Sequence, residues 1–337
     1  MIENVKKRID SLLKEAKFET FFFKGAASKS IYCFDSLVKK DDSVFLIKIF
    51  PNIDNLNANI VKAIKKLSLL LNSKPILIGM KNRYQNLDDN TIYIREGLPF
   101  ITLNTLENIL RRNIYPYILA RRGGGVIFLD GNLMKTIREQ KNVSRKEISN
   151  EIGVTKRTVC SYENESMRPS LKIGEKILKI LENKSIFRKI NLFKWQIKLQ
   201  SDEEKSDETR ELSEFESGLQ DIFEHIGIST IWYKKGQVPF ELSLFSKTYT
   251  LGIDQGDNFY PLFSGVSQED ENDKITKINI NNLTKFANLF HKNALFIVSD
   301  DFKIPDFFKK SHIPIIKLKS LESLDNEEEF VEIFKDN

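Results

Sequence analysis

The stretch ISNEIGVTKRTVCSYENE, residues 148–165, sets two hydroxyls and two cations side by side as Thr155, Lys156, Arg157 and Thr158, with Ser161 one helical turn beyond Arg157. Arginine presents five N–H donors in a planar fork, lysine three around a compact charge, and serine or threonine an O–H that both donates and accepts. Two further arginines flank the group, Arg145 before it and Arg168 after it. Such a cluster is suited to gripping a polyanion. Bond-breaking chemistry has fewer candidates: His225, His291 and His312 lack metal-ligand spacing, and no Ser/His/Asp or Cys/His pair is suggested. Cys33 and Cys160 lie far apart in different kinds of segment, so no disulfide framework is implied, and Cys160 reads as a small filler. The glycines in YILARRGGGVIFLDG read as the turn of a β-hairpin, because no helix start with Lys-Ser/Thr follows them to make a phosphate loop. No catalytic, cofactor or metal set emerges.

The cationic cluster needs helices to position it, and the surrounding residues supply their punctuation. Leu133 and Ile137 in GNLMKTIREQKN share a helical period. Ser144 followed three residues later by Glu147 is a capping box. Gly153 closes that helix, Val154 plugs the turn, and Thr155 caps a third helix whose inward stripe is Val159 and Tyr162. The next begins after Pro169, with Leu171, Ile173, Ile177, Leu178 and Leu181 apolar. Helix, short turn with glycine, helix is helix-turn-helix grammar.

Residues 131–184 resemble a helix-turn-helix of the Cro and phage-repressor type, the xenobiotic-response-element family, most closely over SRKEISNEIGVTKRTVCSYENESMRPSL. The resemblance implies a recognition helix over about 155–163 that enters the major groove of double-stranded DNA. Lys156, Arg157 and Ser161 then face base edges, where Arg157 can donate bidentately to guanine O6 and N7. Thr155, Thr158 and the helix N-terminus suit phosphate oxygens, and Arg145 and Arg168 occupy positions where the family touches the backbone. Glu165 stands where a glycine is usual, which bears on the local C-cap geometry. The arrangement of an α/β domain, this motif and a further domain also resembles archaeal transcriptional regulators of similar length. Together the two resemblances imply a sequence-specific DNA-binding regulator, acting as a homodimer and answering to an effector or to transcription machinery. The alternatives are a DNA-processing nuclease and a basic adaptor that binds transcription machinery or RNA.

The expected fold is multidomain: an α/β restriction-endonuclease-like but degenerate N-terminal domain, the all-α helix-turn-helix, and a C-terminal α/β domain duplicated from the first. The divisions fall at 1–115, a β-hairpin linker 116–130, 131–184, a strand and acidic linker 185–216, and 217–337. Charge supports them. Residues 131–184 hold twelve Lys/Arg against seven Asp/Glu, whereas 201–216, SDEEKSDETRELSEFE, holds eight acids against two bases. Between them INLFKWQIKLQ alternates Phe193, Trp195, Ile197 and Leu199 with polar residues, the period of a half-buried strand. The duplication rests on four blocks in one order: FETFFFKG at 18–25 with ISTIWYKKG at 228–236, CFDSLVKK at 33–40 with PFELSLFSK at 239–247, PILIGM at 75–80 with ALFIVSD at 294–300, and GLPFITLNTLENIL at 97–110 with HIPIIKLKSLESL at 312–324.

In restriction-endonuclease-like folds an aspartate precedes a strand that carries an acid two residues before a lysine. The carboxylates hold Mg²⁺ and the lysine positions the attacking water. Here Asp35 and Lys48 are in place but Leu46 occupies the second acid's position; in the repeat Glu241 matches Asp35, with Thr250 and Gly252 at the other two places. The expectation is a scaffold kept for its shape and stripped of metal ligands. Composition agrees with a globular protein, at 41% hydrophobic and 29% charged residues with net charge +5. The N-terminal MIENVKKRIDSLLKEAKF is an amphipathic helix and no signal peptide, and no run reaches a membrane span, so the expected location is the cytoplasm with no membrane partner.

Overall fold

Two strands rich in aliphatic and aromatic residues make the centre of the N-terminal sheet. β3 (Ser43–Asn52) and β4 (Lys74–Lys81) pair parallel from Phe45↔Lys74 to Asn52↔Lys81. Both read as nearly unbroken apolar runs, as strands covered on two faces do. The computed structural model describes residues 2–23, 32–41, 43–121, 124–197, 211–234, 236–247, 259–268, 273–306, 308 and 313–336. Contacts group the chain into two compact units. The first comprises residues 1–20, 38–56 and 74–196, the second 21–37, 57–73 and 197–337.

The elements of the first sheet run in the order α1 (Ile2–Glu15), β1 (Glu19–Phe21), β2 (Ser36–Lys40), β3, α2 (Ala58–Leu70), β4, β5 (Thr91–Arg95), β6 (Leu98–Ile101), α3 (Leu103–Arg112), β7 (Ile118–Arg121) and β8 (Gly124–Ile127). The spatial order is β1-β2-β3-β4-β6-β5-β7-β8. β4 pairs parallel with β6, and β7 antiparallel with β8 as the expected hairpin. Ile47, Ile49, Ile76 and Ile78 on one face meet Ile9 and Leu13 of α1 and Leu106 and Ile109 of α3 in one buried cluster. On the other face Phe50 meets Phe100 edge-on at 5.3 Å. No Cβ fits at Gly79, where it would stand 2.5 Å from Ile53 and 2.6 Å from Leu87.

β8 leads into four helices, α4 (Gly131–Gln140), α5 (Arg145–Ile152), α6 (Lys156–Glu163) and α7 (Leu171–Leu181). Their shared core is Met134, Ile137, Ile148, Ile152, Val159, Tyr162, Ile177 and Leu181, closed by Ile127, Leu129, Ile186 and Phe187 from the segments on either side. Val159 and Tyr162 thus lie inward as their spacing required. Backbone bonds fasten the hairpin to the bundle: Ile127 N–H to Pro169 O at 3.0 Å, Asp130 N–H to Ile186 O at 2.8 Å, and Arg188 N–H to Phe128 O at 2.7 Å.

The segment after α7 corrects one expectation. Residues Leu192–Lys194 form a 3₁₀ turn and no strand. The Asn191 side chain accepts the Phe193 N–H at 3.0 Å, and this local bond outcompetes an extended ladder. The aromatic residues still face a core, since Leu192 is buried and Phe193 stands 5.3 Å from Phe45 and 6.4 Å from Phe18, centroid to centroid. Lys198 and Leu199 lie outside the described residues, as does 201–210 of the acidic stretch. Its end, from Glu214, is helical.

The second unit contains α8 (Glu214–His225), β9 (Ile228–Trp232), β10 (Leu242–Ser246), β11 (Leu262–Ser267), α9 (Asp273–Phe290), β12 (Ala294–Val298), β13 (Ile315–Lys317), α10 (Leu318–Glu322) and α11 (Glu327–Asp336). A capping box between Ser213 and Glu216 starts α8. Its sheet runs β9-β10-β11-β12-β13, with β9/β10 and β10/β11 antiparallel and β11/β12 and β12/β13 parallel. This succession of helix, three strands, helix, strand, strand and helix repeats the one that runs α1, β1–β3, α2, β4, β6 and α3, with the same strand order and the same two parallel pairings. No helix among the described residues is long and apolar enough to cross a membrane.

Candidate nucleic-acid interface

The bihelical motif is fixed locally before it is fixed by packing. Ser144 Oγ accepts the Glu147 N–H at 3.1 Å, and the Glu147 carboxylate accepts the Ser144 N–H at 2.6 Å. That second bond holds the Glu147 carboxyl below its usual range. Gly153 ends α5 at φ 76°, in the left-handed region that favours glycine. Thr155 then caps α6: its Oγ1 accepts the Thr158 N–H at 3.1 Å and lies 2.9 Å from Thr158 Oγ1. The N–H groups of Lys156 and Arg157 open the helix with no intrahelical acceptor, as first-turn donors must.

Burying Val159 and Tyr162 turns the opposite face outward. Thr155, Lys156 and Arg157 are exposed there, and Thr158 and Ser161 are half-buried. These five residues of the expected set therefore share one helix and its cap. Arg145 is placed differently. Its Nε and Nη2 donate to Glu163 at 2.8 and 2.7 Å, so half of the guanidinium fork is engaged inside the domain. Glu163 beside it also pushes the Arg145 pKa up. Arg168, exposed, lies over the Phe128 ring at 3.9 Å, a cation–π contact that orients it against the hairpin's exit.

Sequence reasoning missed the centre of this arrangement. Glu163, at the last turn of α6, has a side chain only 1% exposed, and Arg138 of α4 donates to it through Nε at 2.6 Å with a side chain 9% exposed. Arg138 also donates to Val143 O at 3.1 Å. One carboxylate thus takes two arginines from two helices and sets the pose of α6 against both. The available signal was a charge of each sign at inward helical positions, Arg138 four residues after Met134 and Glu163 four after Val159. Nearby, Glu165 adopts φ 59°, the left-handed geometry of the glycine it replaces. Its Oε1 accepts the Gly131 N–H at 3.1 Å and Arg188 Nη2 at 2.5 Å. A Cβ at Gly131 would stand 2.1 Å from the Glu163 carbonyl oxygen, so only glycine permits this approach.

The nuclease-like positions carry other chemistry. Leu46 and Lys48 on β3 are both buried, and Asp35 is half-buried on the turn before β2. In the second unit Thr250 and Gly252 lie outside the described residues, and the strand in the place of β3 is β11. By register against the following parallel strand, Phe263 and Gly265 there stand where Leu46 and Lys48 stand in β3. A Cβ on Gly265 would come within 2.3 Å of the Phe296 ring, which fills the space instead. The Glu241 carboxylate accepts the Val266 N–H at 3.2 Å and so braces β11. Among the described residues no three His, Cys, Asp or Glu side chains converge as a metal site.

Comparison with known proteins finds matches for two segments of the chain. Residues 2–116 match a PD-(D/E)XK superfamily domain and residues 134–186 a helix-turn-helix. Relatives include proteins named "Putative HTH-type transcriptional regulatory protein" from Archaeoglobus fulgidus, 34% identical over 51% of this chain and 56% of its own length, and from Methanobrevibacter smithii, 34% identical over 52% and 55%. The protein of that name from Methanocaldococcus jannaschii is 24% identical over 90% of this chain and 88% of its own. The match to the first two spans little more than half the length of those relatives. No solved structure matches. The chain thus carries a PD-(D/E)XK-like N-terminal domain, a Cro and phage-repressor-type helix-turn-helix in the middle and a C-terminal α/β sheet domain, and it is similar to archaeal proteins named as HTH-type transcriptional regulators.

Proposed function

We propose that this protein is a sequence-specific, DNA-binding transcription regulator that acts as a homodimer in the cytoplasm, without catalytic activity of its own. The observation that carries the reading is the first turn of α6, where Thr155, Lys156 and Arg157 are exposed on a helix whose far end is anchored through Glu163. Lys156, Arg157 and Ser161 face base edges; Thr155, Thr158, Arg145 and Arg168 take phosphate oxygens. A single motif of this size covers few base pairs, so two are paired across a twofold axis. The domain divisions at 115, 130, 184 and 216, and the origin of the second sheet by duplication of the first, belong to the same proposal. Selection of bound DNA from a random pool at moderate salt, followed by sequencing, tests it; a pool that returns no enriched sequence overturns it.

Two variants separate base reading from backbone grip. Arg157→Ala is expected to cost about 1–3 kcal/mol on the selected site and to relax preference at one base pair. Arg145→Ala is expected to weaken all sequences alike, with some loss of thermal stability because Glu163 then keeps only Arg138. Binding to a panel of single-base operator changes reads both. The same flat loss for the two variants means that α6 does not read bases.

A nuclease is the second reading, favoured by the PD-(D/E)XK match and the buried Lys48. With Leu46 in the place of the second carboxylate, incubation of DNA with Mg²⁺ or Mn²⁺ is expected to leave it intact, and Asp35→Ala to leave DNA binding unchanged. Metal-dependent cleavage by the parent that Asp35→Ala abolishes reverses this assignment.

A further inference from the structure

Four strands form the rims of the two sheets, β1 and β8 in the first, β13 and β9 in the second. Three of them are guarded in the ways that keep a sheet from adding a foreign strand. β1 has three residues and an exposed charge, Glu19. β8 is covered, since Ile127 N–H bonds Pro169 O at 3.0 Å and Val126 bridges Ser170. β13 has three residues and ends on Lys317. β9 has none of these devices among the described residues. Its five residues, Ile228, Ser229, Thr230, Ile231 and Trp232, hold no charge and no proline, and they pair with β10 in unbroken register.

The free side of β9 carries unused backbone groups. Tyr233 N–H bonds Glu241 O, and the register pairs Trp232 with Leu242 and Thr230 with Leu244. Alternate residues of an antiparallel ladder bond their neighbour, so the N–H and C=O groups of Thr230 and Trp232 face away from β10. On that side they meet no backbone partner among the described residues. Alongside lies a space of about 1070 Å³, lined by residues 228–234 and walled by Ala63 of α2 and Gln220 of α8. A strand added there would stand about 4.8 Å from β9. The two ends of the strand differ in charge. Lys234 is exposed just past its end, and Glu224, whose carboxylate takes one bond from Gln220 Nε2 at 2.9 Å, is exposed just before its start. Lys247 at that start is held by the Glu224 carbonyl at 3.0 Å.

We propose that β9 joins two copies of this chain, antiparallel across a twofold axis, with Thr230 facing Thr230 of the second copy. In that register Ile228 meets Trp232 of the second copy, and the residues that exchange bonds are those whose backbone groups are unused. Trp232 with Ile228 is an aromatic and β-branched pair of the kind that stabilises a ladder. Within the strand no charges face each other, and each Lys234 comes to the Glu224 end of the other copy. One patch serves both copies, as a closed twofold contact requires. The inference rests on the regulator reading for its expectation of a pair, and it is measured without DNA, so that selection of bound DNA succeeds or fails separately. Sedimentation velocity of the full chain over a range of concentrations is expected to show a dimer. Thr230→Lys and Thr230→Glu each set like charges face to face and are expected to raise the dissociation constant about tenfold or more, while an equimolar mixture of the two restores the dimer. Circular dichroism checks that each stays folded. Thr230→Cys places two thiols at a Cα separation of about 5.5 Å, within disulfide reach. It is expected to cross-link under mild oxidation that leaves the parent, which has Cys33 and Cys160, as single chains. A parent that stays monomeric, folded charge variants that dimerise as well as the parent, or a Thr230→Cys protein that does not cross-link overturns the inference. Edge variants that stay dimeric and still bind selected DNA leave the regulator reading standing and this edge rejected.

Discussion

Glu163→Ala is expected to destabilise the helical bundle by about 3–5 kcal/mol, the cost of breaking a buried ion pair from one side. The alanine leaves Arg138 charged and enclosed with only Val143 O and Glu139 as partners, and it frees Arg145 from α6. Against a total stability on the order of 5–15 kcal/mol for a domain, that loss takes most of the margin at the lower end of the range. Urea unfolding followed by far-ultraviolet circular dichroism gives the number. Glu163→Gln keeps an acceptor oxygen of the same shape and should lose less. Arg138→Met combined with Glu163→Leu removes both buried charges and should recover much of the loss, because apolar residues of similar volume replace such pairs well. A Glu163→Ala protein within about 0.5 kcal/mol of the parent, the range of an ordinary surface change, would show that the pair does not hold the motif together.

The second large effect is on binding. Affinity for a selected DNA site is expected to fall about 10³–10⁵-fold between 50 and 200 mM salt, the loss expected of six to ten phosphate contacts. Two protomers reach that number with Arg145, Arg168 and Lys156 on each, the flexible Lys156 ammonium serving a phosphate as readily as a base edge. Each phosphate neutralised by a cation adds roughly −0.9 to the log–log slope. Fluorescence anisotropy at five salt concentrations reads it. A slope near zero removes DNA from the account altogether. A steep slope on random DNA with none of the sequence preference found by selection leaves the motif as an unspecific anchor.

Much of the motif was legible in the residues because its structure is local. The Ser144–Glu147 box, Gly153 and the Thr155 cap each specify a backbone geometry within four residues, and the structure forms all three. The like order of elements in the two sheets was legible for a related reason, since short apolar runs bounded by turn residues mark strands in both. The Arg138–Glu163 pair was harder to see: each charge stands at an inward helical position, but its partner lies 25 residues away and only the packing brings the two together. The segment at 190–200 misled in the opposite direction: alternation fitted a strand, but a single Asn191 side chain accepting a backbone N–H two residues on made a turn. In the second sheet, strand register, which only the structure supplies, sets Gly265 against Phe296 as Lys48 is set against Leu77 in the first.

The interleaving of the two units along the chain has a consequence for how the protein is made. Residues 1–196 supply every segment of the first unit, whereas the second takes 21–37 and 57–73 from the start of the chain and 197–337 from its end. On a ribosome adding about 5–20 residues per second, the early segments wait roughly ten to thirty seconds for the first of their late partners. Through that interval Phe34 and Leu37, and the Val61, Ile64, Leu67 and Leu70 stripe of α2, all buried in the finished protein, have no completed core to enter. The nascent chain is therefore expected to expose an apolar, half-assembled surface until its second half is made, so that its soluble yield should respond to translation speed.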